Sequence, residues 1–113
     1  MPVAPGVQCT FLDAGHILGA AIVFLEIEES GQKTRLLFSG DLGRVDMPIL
    51  RDPTPAPEAD VLLIESTYGN RLHKPREEAE EKLKRLIGEA CSNGGKVIIP
   101  AFSVGRTQEI VYG

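Results

Sequence analysis

The chain has 113 residues, a net charge of −4 and a pI of about 5.1. That allows a modest core and argues against a broad basic face for gripping nucleic acid, though not against a local basic groove. No apolar run reaches the roughly 18 residues of a membrane span, and no N-terminal segment pairs positive charge with an apolar stretch, so neither an anchor nor a secretion signal is expected.

In chain order, Gln8 to Leu12 reads as a short strand, and Asp13 to Gly19 as a loop with two glycines. Ala21 to Glu28 is β-prone and ends in apolar/polar alternation. Glu29-Ser30-Gly31-Gln32 is a turn, and Thr34 to Phe38 is the return strand of a β-hairpin. Residues 47–60 hold Pro48, Pro53, Pro55 and Pro57, a surface connection that can be neither helix nor central strand. Val61 to Ile64 is a continuous apolar run, as in a strand buried on both faces.

Pro75 to about Ser92 is predicted to be a helix, with Ala79, Leu83, Leu86, Ile87 and Ala90 on one face. Glu77 and Glu78 sit near its start, where the helix dipole favours them, and Asn93-Gly94-Gly95 stops it. Lys96 to Pro100 reads as another buried strand, and Arg106 to Tyr112 begins a second helix. The fold class is therefore mixed α/β, with a parallel crossover in the second half. Cys9 and Cys91 have no metal-type spacing and are expected as two reduced, mostly buried thiols, which fits a cytoplasmic protein.

Polar residues follow three of these strands. His16 follows the first, Asp41 in Ser39-Gly40-Asp41-Leu42-Gly43 follows the hairpin, and Glu65 follows the apolar run. Ligands gather at the carboxyl ends of strands in α/β sheets, and imidazole and carboxylate are ordinary zinc ligands. Local sequence alone leaves His16 open as a metal ligand, a base or a turn residue. "SGDLG" is also ordinary turn chemistry. His73 reads as a solvated loop residue, and Phe102 to Arg106 as a loop entering a helix where backbone N–H groups could hold a phosphate.

The segments "DAGHILGA", "FSGDLGR", "LLIESTYGNRLH" and "GGKVIIPAFSVGRTQE", in this order, resemble the metallo-β-lactamase-fold nucleases of the β-CASP type, from about Val7 to Tyr112. "SGDLG" occurs across the wider superfamily; "ESTYG" and "PAFSVGR" are specific to the RNA-processing branch. The resemblance implies part of an αββα sandwich over residues 1–68 and the start of the inserted β-CASP domain over 69–113. It implies hydrolysis of RNA phosphodiester bonds by water activated on two zinc ions. His16 would be a zinc ligand and Asp41 the carboxylate bridging both ions. Glu65 would pair with a histidine of a later motif and help handle the leaving-group proton. Ser66, Thr67 and Tyr68 would shape the same wall, with Ser103 and Arg106 near the RNA path.

The family's main metal motif, H-x-H-x-D-H, and its later histidine motifs are not in this sequence. The chain is therefore expected to be an internal piece of a longer enzyme. A closed zinc site takes about four protein ligands and a catalytic one about three, so the piece alone is expected to be inactive and to hold metal weakly at best. Missing partners should also leave apolar surface exposed and promote self-association, giving a homo-oligomer. Two other readings remain: a hydrolase of the same fold acting on DNA or a small ester, and a non-catalytic RNA-processing subunit.

Overall fold

A computed structural model describes the chain except for Pro48, Lys74 and Gly113. Pro48, one of the four prolines placed in the connection, thus lies outside the described residues. The elements are β1 (Pro2–Ala4), β2 (Val7–Asp13), β3 (Ala21–Glu29), β4 (Gln32–Phe38), β5 (Val61–Leu63), α1 (Arg76–Ser92) and α2 (Arg106–Tyr112). They fall into two compact units, Met1–Thr67 with the strands and Tyr68–Gly113 with the helices.

In the first unit the strands lie in sequence order, antiparallel except for the parallel pair β4–β5. The β3–β4 hairpin closes with Glu29 opposite Gln32, and both loop residues have positive φ, 51° at Ser30 and 76° at Gly31. That is the type I′ geometry whose twist matches the strands it joins. β1 is an additional short strand, paired with β2, that composition did not announce.

Because β2 and β4 both run antiparallel to β3, they point the same way, and β5 follows β4. The C-terminal ends of β2, β4 and β5 therefore open onto one edge of the sheet. Register sorts the side chains into two faces. Cys9, Leu25, Leu36 and Val61 form one row of the first face, and Phe11, Val23, Phe38 and Leu63 the next. On the other face Ala14, Ile22 and Leu37 form a small buried core, with Leu12, Ala20, Phe24 and Leu42 packed against it. This core sits under the loops at the C-terminal edge, while Gln8, Glu26 and Arg35 make the opposite end of that face polar.

Three expectations need correction. The first concerns β5, which is not buried: Val61, Leu62 and Leu63 are 46%, 56% and 48% exposed. A strand buried on both faces needs a layer on each, and β5 is the last strand of a unit whose described residues form no helix. The second concerns Lys96 to Pro100, which forms no strand, with Ile98 89% exposed. A strand exists only as part of a hydrogen-bonded ladder, and the described residues of the second unit offer it no strand to pair with. The observed parallel pair is instead β4–β5, joined through residues 39–60, whose described residues form no helix.

The third concerns the thiols. Cys9 is buried in the sheet, but Cys91 is exposed on α1, a helix that buries none of its residues. α1 otherwise matches its pattern, with Pro75 at its N-cap, Glu77 and Glu78 in its first turn and Asn93 at its C-cap. No helix among the described residues is long and apolar enough to cross a membrane.

Candidate functional site

The three loops at the C-terminal edge of the sheet are tied together by backbone contacts. The Gly43 N–H donates to the Ala14 carbonyl (2.8 Å), joining the His16 loop to the Asp41 loop. The fit allows no side chain at residue 43, because an added Cβ would lie 1.7 Å from the Gly15 carbonyl oxygen. Gly15 itself has φ 68° and packs on Pro53, while the Thr54 N–H donates to the Asp13 carbonyl (2.8 Å). The proline-rich connection is thereby fastened across the end of β2.

Glu65 joins the Asp41 loop to β5. The Ser39 N–H donates to the Leu63 carbonyl (2.9 Å), continuing the parallel ladder past its last paired residues. The Glu65 N–H donates to Ser39 Oγ (3.0 Å), and that hydroxyl donates to the Gly40 carbonyl (2.7 Å). The Leu42 N–H donates to Glu65 Oε1 (2.7 Å). The Glu65 carboxyl is held below the usual carboxylate range, chiefly by the Leu42 amide, then by the Thr67 hydroxyl, with a smaller contribution from the nearby His16. Glu65 thus accepts these bonds as a carboxylate.

His16 and Asp41 are both exposed, on the two loops that the Gly43–Ala14 bond joins. Their donor types suit zinc, but their number does not. Among the described residues no group of three or more His, Cys, Asp or Glu side chains could hold a metal ion. The residues present therefore do not by themselves make a zinc centre.

Ser66 and Thr67 continue from Glu65 in the first unit, and Thr67 is a hydrogen-bond partner of Glu65. Tyr68, Ser103 and Arg106 belong to the second unit. There the Tyr68 ring meets His73 edge-on, with centroids 5.7 Å apart, and the Arg71 guanidinium lies over it at 5.1 Å. Ser103 and Arg106 are exposed at the start of α2, where the Arg106 N–H donates to the Ser103 carbonyl (3.4 Å). That amide is committed to the turn. Ser39 is the residue that motif reading passed over. It is 3% exposed, and the only sequence signal for its role is its place at the end of an apolar strand, immediately before the glycine-flanked aspartate.

A five-stranded sheet followed by two helices makes this a protein of the mixed α/β class, with an imidazole and two carboxylates just past the C-terminal ends of three of its strands. Comparison with known proteins makes this specific. The chain is 43% identical, over 94% of its length, to the endoribonuclease YSH1 of Kluyveromyces lactis. It is 42% identical over 90% to the ribonuclease TTHA0252 of Thermus thermophilus, and 45% identical over 96% to an RNase J-like protein of Methanocaldococcus jannaschii. It spans 14%, 23% and 26% of the length of these three relatives. No family model matches the chain. The chain belongs to the β-CASP metallo-β-lactamase-fold family of RNA nucleases, over the stretch it shares with these relatives.

Proposed function

We propose that this chain is the part of a zinc-dependent ribonuclease that joins the metallo-β-lactamase domain, residues 1–68, to the start of the β-CASP domain, residues 69–113. The observation that carries this reading is the Leu42 N–H bond to Glu65 Oε1. Together with the Gly43–Ala14 bond, it ties His16, Asp41 and Glu65 to one edge of the sheet. In this reading His16 and Asp41 are two of the ligands of a two-zinc centre whose remaining ligands other segments supply. Such a centre supplies activated water for phosphodiester hydrolysis when complete. Glu65, kept ionised by the Leu42 amide, accepts a hydrogen bond from the group that delivers the leaving-group proton. Ser66, Thr67 and Tyr68, in the segment after Glu65, and Ser103 and Arg106, at the start of α2, are substrate-binding residues in this reading. The free thiols Cys9 and Cys91 suit a reducing, cytoplasmic compartment.

The test is a chimera in which this chain replaces the matching segment of the Methanocaldococcus jannaschii relative. RNA cleavage is expected, with a loss of about a hundred-fold or more in His16→Ala or Asp41→Ala, the scale of removing a group that stabilises the transition state. A folded but inactive chimera, or activity unchanged by both substitutions, contradicts the assignment. The chain alone, after dialysis, is expected to retain no stoichiometric zinc and to turn over no RNA.

A further inference from the structure

Tyr68 is held in a conformation that its own side chain disfavours. Its φ is 60°, in the left-handed region, where a bulky residue other than glycine or asparagine is an outlier. Among the described residues the two other non-glycine residues with positive φ are Ser30, which completes a type I′ turn, and Asp46, whose short polar side chain tolerates the region. Neither reason applies to tyrosine. Burial does not offset the strain either, because Tyr68 is 57% exposed.

The fold does not explain an aromatic ring here, and what surrounds it suggests what would. The Arg71 N–H donates to the Tyr68 carbonyl (3.1 Å), closing a turn that carries the guanidinium back over the ring, 5.1 Å from its centroid. His73 meets the ring edge-on. Arg71 has no carboxylate partner among the described residues, so its charge is uncommitted. In a chain of net charge −4, residues 66–76 contain Arg71, Lys74 and Arg76 and no Asp or Glu.

We propose that Tyr68, Arg71 and His73 form a stacking site for an unpaired base of single-stranded RNA, with Arg71 also meeting the adjoining phosphate. Unstacked bases are commonly taken up on aromatic rings and guanidinium planes, and a cation beside the ring answers the backbone charge. The assignment of RNA rests on the proposed ribonuclease reading; the stacking geometry does not. Strain at Tyr68 is the signature of a residue kept for a ligand rather than for the fold.

The test is binding of a short, labelled, mixed-sequence single-stranded RNA to the 113-residue chain in EDTA, read by fluorescence anisotropy alongside thermal melting. Tyr68→Gly is expected to melt at no lower temperature than wild type, because glycine relieves the strain. Its binding is expected to weaken about ten-fold, the order one base–aromatic stack contributes. Tyr68→Phe keeps the ring and retains binding, whereas Arg71→Ala weakens it. Double-stranded RNA of the same sequence binds more weakly, since its bases are already stacked. Single-stranded DNA that binds with the same dependence on Tyr68 supports the site even if the ribonuclease reading fails. The proposal is overturned if Tyr68→Gly or Arg71→Ala binds like wild type, if Tyr68→Gly melts lower, if duplex binds as well as single strand, or if the wild-type chain binds no single strand.

Discussion

At Gly43 the space for a side chain is already taken by the Gly15 carbonyl oxygen, 1.7 Å from where a Cβ would sit. Gly43→Ala must push the Asp41 loop away from the His16 loop, at a cost of about 1–3 kcal/mol, typical of overpacking. Denaturant unfolding should show that loss, together with faster hydrogen exchange at the Gly43 amide. Ser39→Ala removes the acceptor for the Glu65 N–H and should cost about 1 kcal/mol, with the Glu65 and Leu42 amides exchanging faster. The acid limb of stability also belongs to single residues. Glu26 is held below the usual carboxylate range by its hydrogen bond and charge pairing with Lys33, whose Nζ lies 2.9 Å from it, and Glu65 is lowered by the Leu42 amide. A carboxyl lowered on folding contributes stability that is complete above its unfolded pKa, about 4.3 for glutamate, and is lost as pH falls through the lower folded value. Stability should therefore decline below about pH 4, and Glu26→Gln should flatten part of that decline in melting curves taken across the acid range.

The elements differ in how much of their stability is local. In the β3–β4 hairpin, Ser30 occupies a left-handed position that asparagine fills with less strain, and Asn-Gly is the strongest type I′ pair. Ser30→Asn is expected to raise the melting temperature, reflecting a gain of a few tenths of a kcal/mol, the scale of a local backbone preference. Gly88 lies inside α1, and an added Cβ there would meet nothing within 4 Å. Gly88→Ala should therefore stabilise the helix by about 0.5–1 kcal/mol, visible as increased helical circular dichroism. α1 followed from its periodicity and its capping residues because both act within a few residues of chain. The expected strand at Lys96–Pro100 did not form, although its apolar run is as strong as that of Val61–Leu63. The difference is a neighbour: β4 supplies a ladder for β5, and the described residues of the second unit supply none. Strand identity is a property of a pair, which a run of apolar residues cannot report.

Across the molecule, apolar surface outruns the means to cover it. Among the described residues the buried apolar ones are Cys9, Ala14, Ile22 and Leu37, while Val61, Leu62, Leu63, Ile64 and Phe11 all lie open. β5 is also the terminal strand of the sheet, and an open apolar edge invites pairing with another chain. Sedimentation should show concentration-dependent association, and Leu62→Lys, which places a charge on that edge, should reduce it. The sequence by itself determined the hairpin and its turn, the two helices, and the identity of the polar residues that end three strands, because alternation, turn chemistry and helical periodicity are local. It also carried the family resemblance, through motifs that lie contiguous in the chain. Only the tertiary structure decided that β4 and β5 pair in parallel across residues 39–60, and that Ser39, Leu42, Gly43 and Glu65 lock the His16 and Asp41 loops to one edge. These contacts join residues more than twenty positions apart (Ser39 and Glu65 are separated by 26), and nothing in the chain between them encodes their meeting except the closure of the sheet itself.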